Sequence, residues 1–217
     1  MFPHLLHNLY WGFIKEQMKV ILASESSTRK KLLKNAGVKF LSRKHNIAES
    51  CLKTELMVAK KTNRQIALAL ATAKANSISK SFPKDLIIGS DQILVCEKKI
   101  FNKPRNRKEA FNQLSLLTGK QHKLLSAVCV VLNQKRLWFC VKTASLRMKK
   151  HGTDVLRKYF QKLKKKQGYS VGVYRYEIDN GSLFDWVKGK RETILGMPTK
   201  ELLLFLKRKK FIEYKKR

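Results

Sequence analysis

Short apolar runs alternate along this chain with stripes at helical spacing. Val20-Ile21-Leu22-Ala23 reads as a buried strand, followed by the polar turn Ser24-Glu25-Ser26-Ser27. Leu32, Leu33 and Ala36 then share one helical face over about 28–36, with Gly37 as the C-terminal stop. Residues 40–55 show no period and read as irregular. Ile66, Ala69, Leu70, Ala73 and Ser77 repeat at helical spacing, and Pro83 ends that region. Leu86-Ile87-Ile88-Gly89-Ser90 predicts a central strand with Asp91 at its C-terminal end, and 93–100 a hairpin around Glu97-Lys98-Lys99. Asn106 and Glu109 have capping-box spacing, with Asn in place of the usual Ser or Thr, and open a helix that closes at Gly119. Two long strands at about 122–132 and 136–148 predict another hairpin. A basic helix over 153–166 turns Val155, Leu156, Tyr159, Phe160 and Leu163 inward, and Pro198 starts a last helix with an apolar run at 202–206.

Strands and helices mixed in this way, with no repeat and no Pro/Gly/Ser linker, predict one α/β unit. Its sheet is mixed rather than all-parallel, because the central hairpin must be antiparallel. The length of 217 residues fits one large domain or two joined lobes. The N-terminus stands apart. His4, His7 and Asn8 interrupt its apolar residues, no basic stretch precedes them, and it is too short to span a bilayer. Met18-Lys19 runs directly into the first strand like a natural start. Residues 1–17 are therefore expected to be a non-native extension or a mis-called start, and residues 18–217 the single domain.

Charge widens the field of partners. The sequence has 48 Lys+Arg against 15 Asp+Glu, a formal +33, which attracts polyanions of either kind, nucleic acid or phosphorylated small molecules. The excess is mostly lysine spread along the chain, with knots at Lys164-Lys165-Lys166 and Lys207-Arg208-Lys209-Lys210, and a lysine-rich coding bias on solvated faces would produce the same count. No knot alternates with exposed aromatics as a single-strand groove requires, so nucleic acid is not the expected partner. Cys51, Cys96, Cys129 and Cys140 stand alone without metal-ligand spacing. This speaks against a zinc site or a disulfide framework and is compatible with a reducing compartment.

Candidate chemistry begins at the strand-to-helix turn. Small hydroxyls at Ser24 and Ser26, free N–H groups and a helix N-terminus make an anion site, to which Arg29, Lys30 and Lys31 add charge; an ordinary Ser-rich N-cap has the same composition. No GxxxxGK[ST] occurs, which excludes a P-loop. Asp91 suits metal binding or water activation, or equally the capping of the next turn. Glu49 could supply a second carboxylate for a hard cation such as Mg²⁺ and is otherwise a loop acid. Lys74 borders the apolar face of its helix, and Lys103 is held extended by Pro104; each suits phosphate, as each suits solvent.

Taken together, these blocks resemble the Maf family of nucleotide pyrophosphatases. The string from Val20 through Ser24, Ser26 and Arg29 to Leu33 is similar to the family's opening S-x-S-P-x-R pattern after a strand. In order follow Glu49, Ala73-Lys74-Ala75, Gly89-Ser90-Asp91-Gln92, Lys103-Pro104, Gly119-Lys120-Gln121-His122 and Thr193-Ile194-Leu195-Gly196-Met197-Pro198, so the likeness spans 18 to about 207. It implies a mixed twisted sheet flanked by helices in two lobes with a central cleft, an inosine triphosphatase-like arrangement. It further implies hydrolysis of a nucleoside triphosphate to monophosphate and pyrophosphate, assisted by a divalent cation such as Mg²⁺ or Mn²⁺. Ser24, Ser26, Arg29, Lys74 and Lys103 would bind the triphosphate. Asp91 would be the catalytic acid position and, with Glu49, the metal carboxylates. Thr28, Gln92 and Glu177 fall where the family varies with base preference; Gln92 and Glu177 look like the branch that takes a methylated guanine nucleotide, while Thr28 matches neither branch closely. A cytoplasmic enzyme without a membrane segment, with a homodimer open to it in the family's manner, completes the expectation.

The pattern departs from the family in places. Ser27 replaces a proline, Ala48 replaces an acid that commonly precedes Glu49, and Glu177-Ile178-Asp179-Asn180-Gly181 lacks the two glycines of an E-G-x-G turn. Lost glycines would reshape the base pocket, because Ile adopts φ > 0 with difficulty. Two rival readings stay open: a degenerate relative that binds nucleotides or regulates division without turnover, and a basic nucleic-acid-binding protein.

Overall fold

The computed structural model describes residues 18–163, 169–179 and 181–212; the N-terminal extension and the lysine knot at 164–166 lie outside the described residues. The sheet is built around β1 (Val20–Leu22), buried along its length, which pairs in parallel with β2 (Leu41–Ser42) and with β3 (Leu86–Cys96). β3 turns back into β4 (Lys99–Phe101), and on its other side pairs antiparallel with β5 (Gln121–Leu132), then β6 (Lys135–Met148) and β7 (Phe184–Lys188). The resulting seven-stranded sheet runs β2-β1-β3-β5-β6-β7, with β4 on the edge of β3, and is mixed as the sequence predicts. Both antiparallel hairpins close through two residues at positive φ, Glu97-Lys98 and Asn133-Gln134, the turn geometry that matches strand twist.

Helices cover both faces. α1 (Ser27–Asn35) and α8 (Thr199–Arg208) press Leu33, Leu202 and Leu206 onto Leu22, Ile88 and Val128. α3 (Asn63–Ser79) packs Ile66, Leu70 and Ile78 onto Ile21, Ile87, Ile93 and Val131 from the opposite side. Alternation along β3 sends Ile87 to one layer and Ile88 to the other. The far end of the sheet is closed by α4 (Arg107–Leu117) and α5 (Thr153–Lys162), which bury Leu114, Leu156 and Phe160 with Leu94 and Leu146. Two short helices, α6 (Tyr176–Asp179) and α7 (Arg191–Ile194), flank β7. Among the described residues no helix is long and apolar enough to cross a membrane.

Four local readings change. The stretch at 40–55 contains β2 and the start of α2 (Glu49–Val58), a helix that buries none of its residues and so leaves no period in the sequence. Asp91 lies inside β3 rather than at its end, because the ladder to β5 continues through the polar Gly89–Gln92 run. The buried stripe of α3 runs Ile66, Ala67, Leu70, Ala71, Lys74, Ala75 and Ile78, which puts Lys74 within it rather than at its border. On α5, Leu156 and Phe160 point inward as expected, but Val155 is exposed.

Candidate active site

β1 stops at Leu22, opposite Ile88, while β3 runs on to Cys96. Beyond the end of β1 the edge of β3 loses its parallel neighbour until β4 pairs at Leu94, and the turn into α1 opens at that gap. Ser26 caps α1 by accepting from the Arg29 N–H at 3.4 Å, and Ser24 Oγ accepts from the Ser26 N–H at 3.3 Å. The first turn of α1 carries no acid to oppose its dipole. The serine-rich turn is thus a true helix cap, with its amides gathered at the mouth of the gap.

One side of β3 is a cluster of charges. Gly89 makes it possible: a Cβ there would stand 2.1 Å from the Ala71 carbonyl oxygen and 2.8 Å from the Ala75 Cβ, so only glycine lets α3 approach this closely. One turn on, the Lys74 side chain, 2% exposed, reaches Asp91 Oδ1 at 2.5 Å and Glu49 Oε2 at 2.9 Å. Glu49 is the first residue of α2, where a carboxylate suits the helix dipole. Its Oε1 also lies 3.3 Å from His45 Nε2 and 3.9 Å from Lys103 Nζ. Burial by itself raises the Glu49 carboxyl, but the bond to His45 and the charges of Lys74 and Lys103 outweigh it and hold it well below the usual carboxylate range.

Lys53 and His45 belong to this cluster and were not singled out in the sequence. Lys53 is four residues after Glu49, the spacing that places side chains on one helical face, but that signal requires α2 to be known; His45 lies in the irregular stretch before the helix. Lys53 Nζ donates to Asn102 Oδ1 at 2.7 Å, next to Lys103. Burial lowers the Lys53 ammonium's pKa while Asp91 and Glu49 raise it.

The other side of β3 carries neutral contacts. Arg29 donates from Nη1 to the Ser90 carbonyl at 2.9 Å and to Ser24 Oγ at 3.5 Å, and from Nε to the Gly196 carbonyl at 3.2 Å. Burial lowers its pKa, opposed by Asp91 and Glu49. Gly196 has φ +97°, and a Cβ there would meet Arg29 and Gln92 at 3.5–3.6 Å. Gln92 donates its amide to Ser126 Oγ, Thr193 O and Ile194 O at 2.9, 3.0 and 3.0 Å. Its donors are therefore committed to the protein, which leaves Oε1 as the polar atom it presents among the described residues. Thr28 Oγ1 donates to Glu177 Oε1 at 3.2 Å, joining two of the three residues expected to read the base across 149 positions of sequence. Glu177 sits in the helical turn of α6, so Ile178, at the first of the two missing glycines, stands in helical backbone, while the second position, 180, lies outside the described residues. The Gly119–His122 block lies elsewhere: Lys120 pairs with Glu97, and His122 Nε2 lies 2.8 Å from Tyr174 Oη in the distal core, where burial pushes the imidazole down to about 4.

Glu49 and Asp91 converge on one ammonium, so their oxygens lie within reach of a single cation. No group of three or more His, Cys, Asp or Glu with metal-holding geometry occurs among the described residues. Two hard carboxylates fit Mg²⁺ or Mn²⁺, which commonly take one or two protein oxygens and complete their shell with water and phosphate. Arg29, Lys53, Lys74 and Lys103 outnumber the two carboxylates, leaving the gap net positive and suited to a ligand with several negative charges.

The profile of Maf-like protein matches residues 19–209. A protein of Pelagibacter ubique named nucleoside triphosphate pyrophosphatase is 35% identical over 189 residues, covering 87% of this chain and 97% of its own. One of Granulibacter bethesdensis with the same name is 37% identical over 190 residues, 88% of this chain and 96% of its own. A 7-methyl-GTP pyrophosphatase of Rhizobium meliloti is 36% identical over 184 residues, 85% and 92% of the two chains. On profile and relatives alike, this chain belongs to the Maf-like protein family.

Proposed function

We propose that the chain hydrolyses a nucleoside triphosphate to its monophosphate and pyrophosphate, with the phosphates in the gap beyond β1. The observation that carries this reading is the Lys74 ammonium held between Asp91 and Glu49, whose charges also act on the buried Arg29 of α1. Ser24, Ser26 and the α1 amides bind phosphate oxygens, with Arg29, Lys74 and Lys103 neutralising them. Asp91 takes the proton of the attacking water; its Oδ2 carries no hydrogen bond among the described residues. Glu49 and Asp91 would hold a divalent cation, which when bound polarises the phosphoryl oxygens and spreads the developing charge.

The base lies on the opposite side, where Glu177 Oε2 and Gln92 Oε1 are acceptors that match the N1–H and N2–H₂ donors of a guanine. A guanine nucleotide, methylated in the manner of the 7-methyl-GTP branch, is the substrate this supports. A cytoplasmic location is supported by four cysteines that are all free, and a homodimer by the exposed Leu137 and Phe139 of β6. Pyrophosphate release from standard and methylated triphosphates, with Mg²⁺, Mn²⁺ or EDTA, tests the reading. Metal-dependent release, highest for a guanine nucleotide, is expected; release from none of them by folded protein would sink it.

A further inference from the structure

Gln113 lies on α4, away from the charged cluster, yet its buried amide joins two segments that reach the gap from opposite sides. Nε2 donates to the Asn102 carbonyl at 2.9 Å, and Oε1 accepts from the Gly172 N–H at 2.7 Å. One partner is a backbone acceptor and the other a backbone donor, so the amide's orientation is fixed by its neighbours. Of the genetically encoded side chains of this length, only glutamine supplies both groups: glutamate lacks the donor, methionine lacks both, and asparagine is one methylene too short.

The segments have different duties. Asn102 precedes Lys103, and its side chain is held from across the gap by Lys53. Gly172 begins the run to Glu177, and this run is strained. Val173, buried and β-branched, has φ +68°, and the Tyr174 N–H closes a tight turn onto the Gly172 carbonyl at 2.8 Å. A turn of that kind persists only where its surroundings hold it. The Gln113 acceptor at its start and Tyr159 Oη, which accepts from the Arg175 N–H at 2.9 Å, are two such holds.

We propose that Gln113 is a positioning residue that couples the Lys103 loop on the phosphate side to the Gly172–Glu177 segment on the base side. The assignment of those two sides rests on the function proposed above; the bridge itself does not. Through it, a shift of the Asn102 backbone is passed to the start of the strained turn, and from there to Glu177.

Two measurements test the bridge. Hydrogen exchange needs no substrate: in Gln113→Met, amides at 102–106 and at 172–177 are expected to exchange faster together, with those of α1 unchanged. Acceleration of one segment alone, or of neither, overturns the proposal. Gln113→Glu keeps the acceptor and loses the donor, and serves if Gln113→Met does not fold; it is expected to free 102–106 first and to disturb 172–177 less. The second measurement is a cycle of Lys103→Ala and Glu177→Ala on kcat/KM. With Gln113 present, the double variant departs from the product of the singles by about fivefold or more; in the Gln113→Met background the departure vanishes. An equal departure in both backgrounds contradicts the coupling. If wild-type protein turns over no triphosphate, the functional reading fails while the exchange measurement still decides the bridge.

Discussion

The two sides of β3 are held by different physics. On the α3 side, Lys74 and Asp91 form a buried ion pair that the half-buried Glu49 joins, and each charge depends on the others. On the α1 side, Gln92 and Arg29 donate to carbonyls of the Ser90 and 193–196 backbone, and Thr28–Glu177 is a single bond between partly or fully exposed side chains. A buried charge cannot be removed without stranding its partners, whereas an exposed hydrogen bond exchanges readily for water. The contrast teaches where this molecule tolerates change. The cluster that would run the reaction is over-determined, and the contacts that would choose the base are peripheral and adjustable. That is consistent with a chain that keeps Arg29, Glu49, Lys74, Asp91 and Lys103 while losing the glycines after Glu177.

The sharpest way to break this contrast is Lys74→Met, which leaves two facing carboxylates without their cation. Stability is expected to fall by about 3–5 kcal/mol, the range for removing one partner of a buried ion pair, as read by urea unfolding. Unchanged stability would mean that the cluster is solvated and no more constrained than the base side.

Glu49 sharpens the same point through pH. Its folded-state pKa is depressed below the unfolded value of about 4.3, so its contribution is fully present above that value. It is lost as pH falls toward the folded pKa, which lies well below the carboxylate range. The stability gap between wild type and Glu49→Gln should therefore hold steady above about pH 5.5 and narrow steadily below about pH 4.5. A gap that stays flat down to acid pH contradicts the depressed pKa.

The base side should respond more mildly. Glu177→Gln is predicted to change the ranking of triphosphates by roughly tenfold, the worth of one hydrogen bond to a charged group, with little change in kcat for the best substrate. An unaltered ranking across the nucleotide panel would remove Glu177 from base selection.

Much of this was legible in the sequence, and the exceptions have physical causes. β1 and β5 announce themselves as unbroken apolar runs buried on both faces, and α1, α3 and β6 through residues that recur on one buried face. α2 does not, since none of its residues is fully buried and only Leu52 and Leu56 pack partly against the core, and with it went the spacing from Glu49 that points to Lys53, while His45 precedes the helix and had no periodic signal. Asp91 looked like a strand end because Gly89-Ser90-Asp91-Gln92 is polar; the strand continues there because β5 pairs with it at every step. Val155 was misplaced because the apolar stripe on α5 is wider in sequence than the face that meets the core. Gln113 had no signal at all, for its partners are backbone groups 11 and 59 residues away. The candidate site residues themselves were readable as types in order. Their distribution over two faces of one strand follows from the alternation of β3 only once that strand is known to run unbroken.

The central claim is that the Lys74–Asp91–Glu49 cluster is a hydrolytic centre, and single-turnover pyrophosphate release by wild type and Asp91→Asn, at equal nucleotide occupancy, tests it most directly. The account predicts a fall of about 10²–10⁴ in the rate, the contribution of a positioned general base, in a protein that stays folded at the assay temperature although its thermal midpoint falls because Lys74 loses a buried charged partner. Equal rates in the two proteins would contradict it and place the chemistry elsewhere in the molecule.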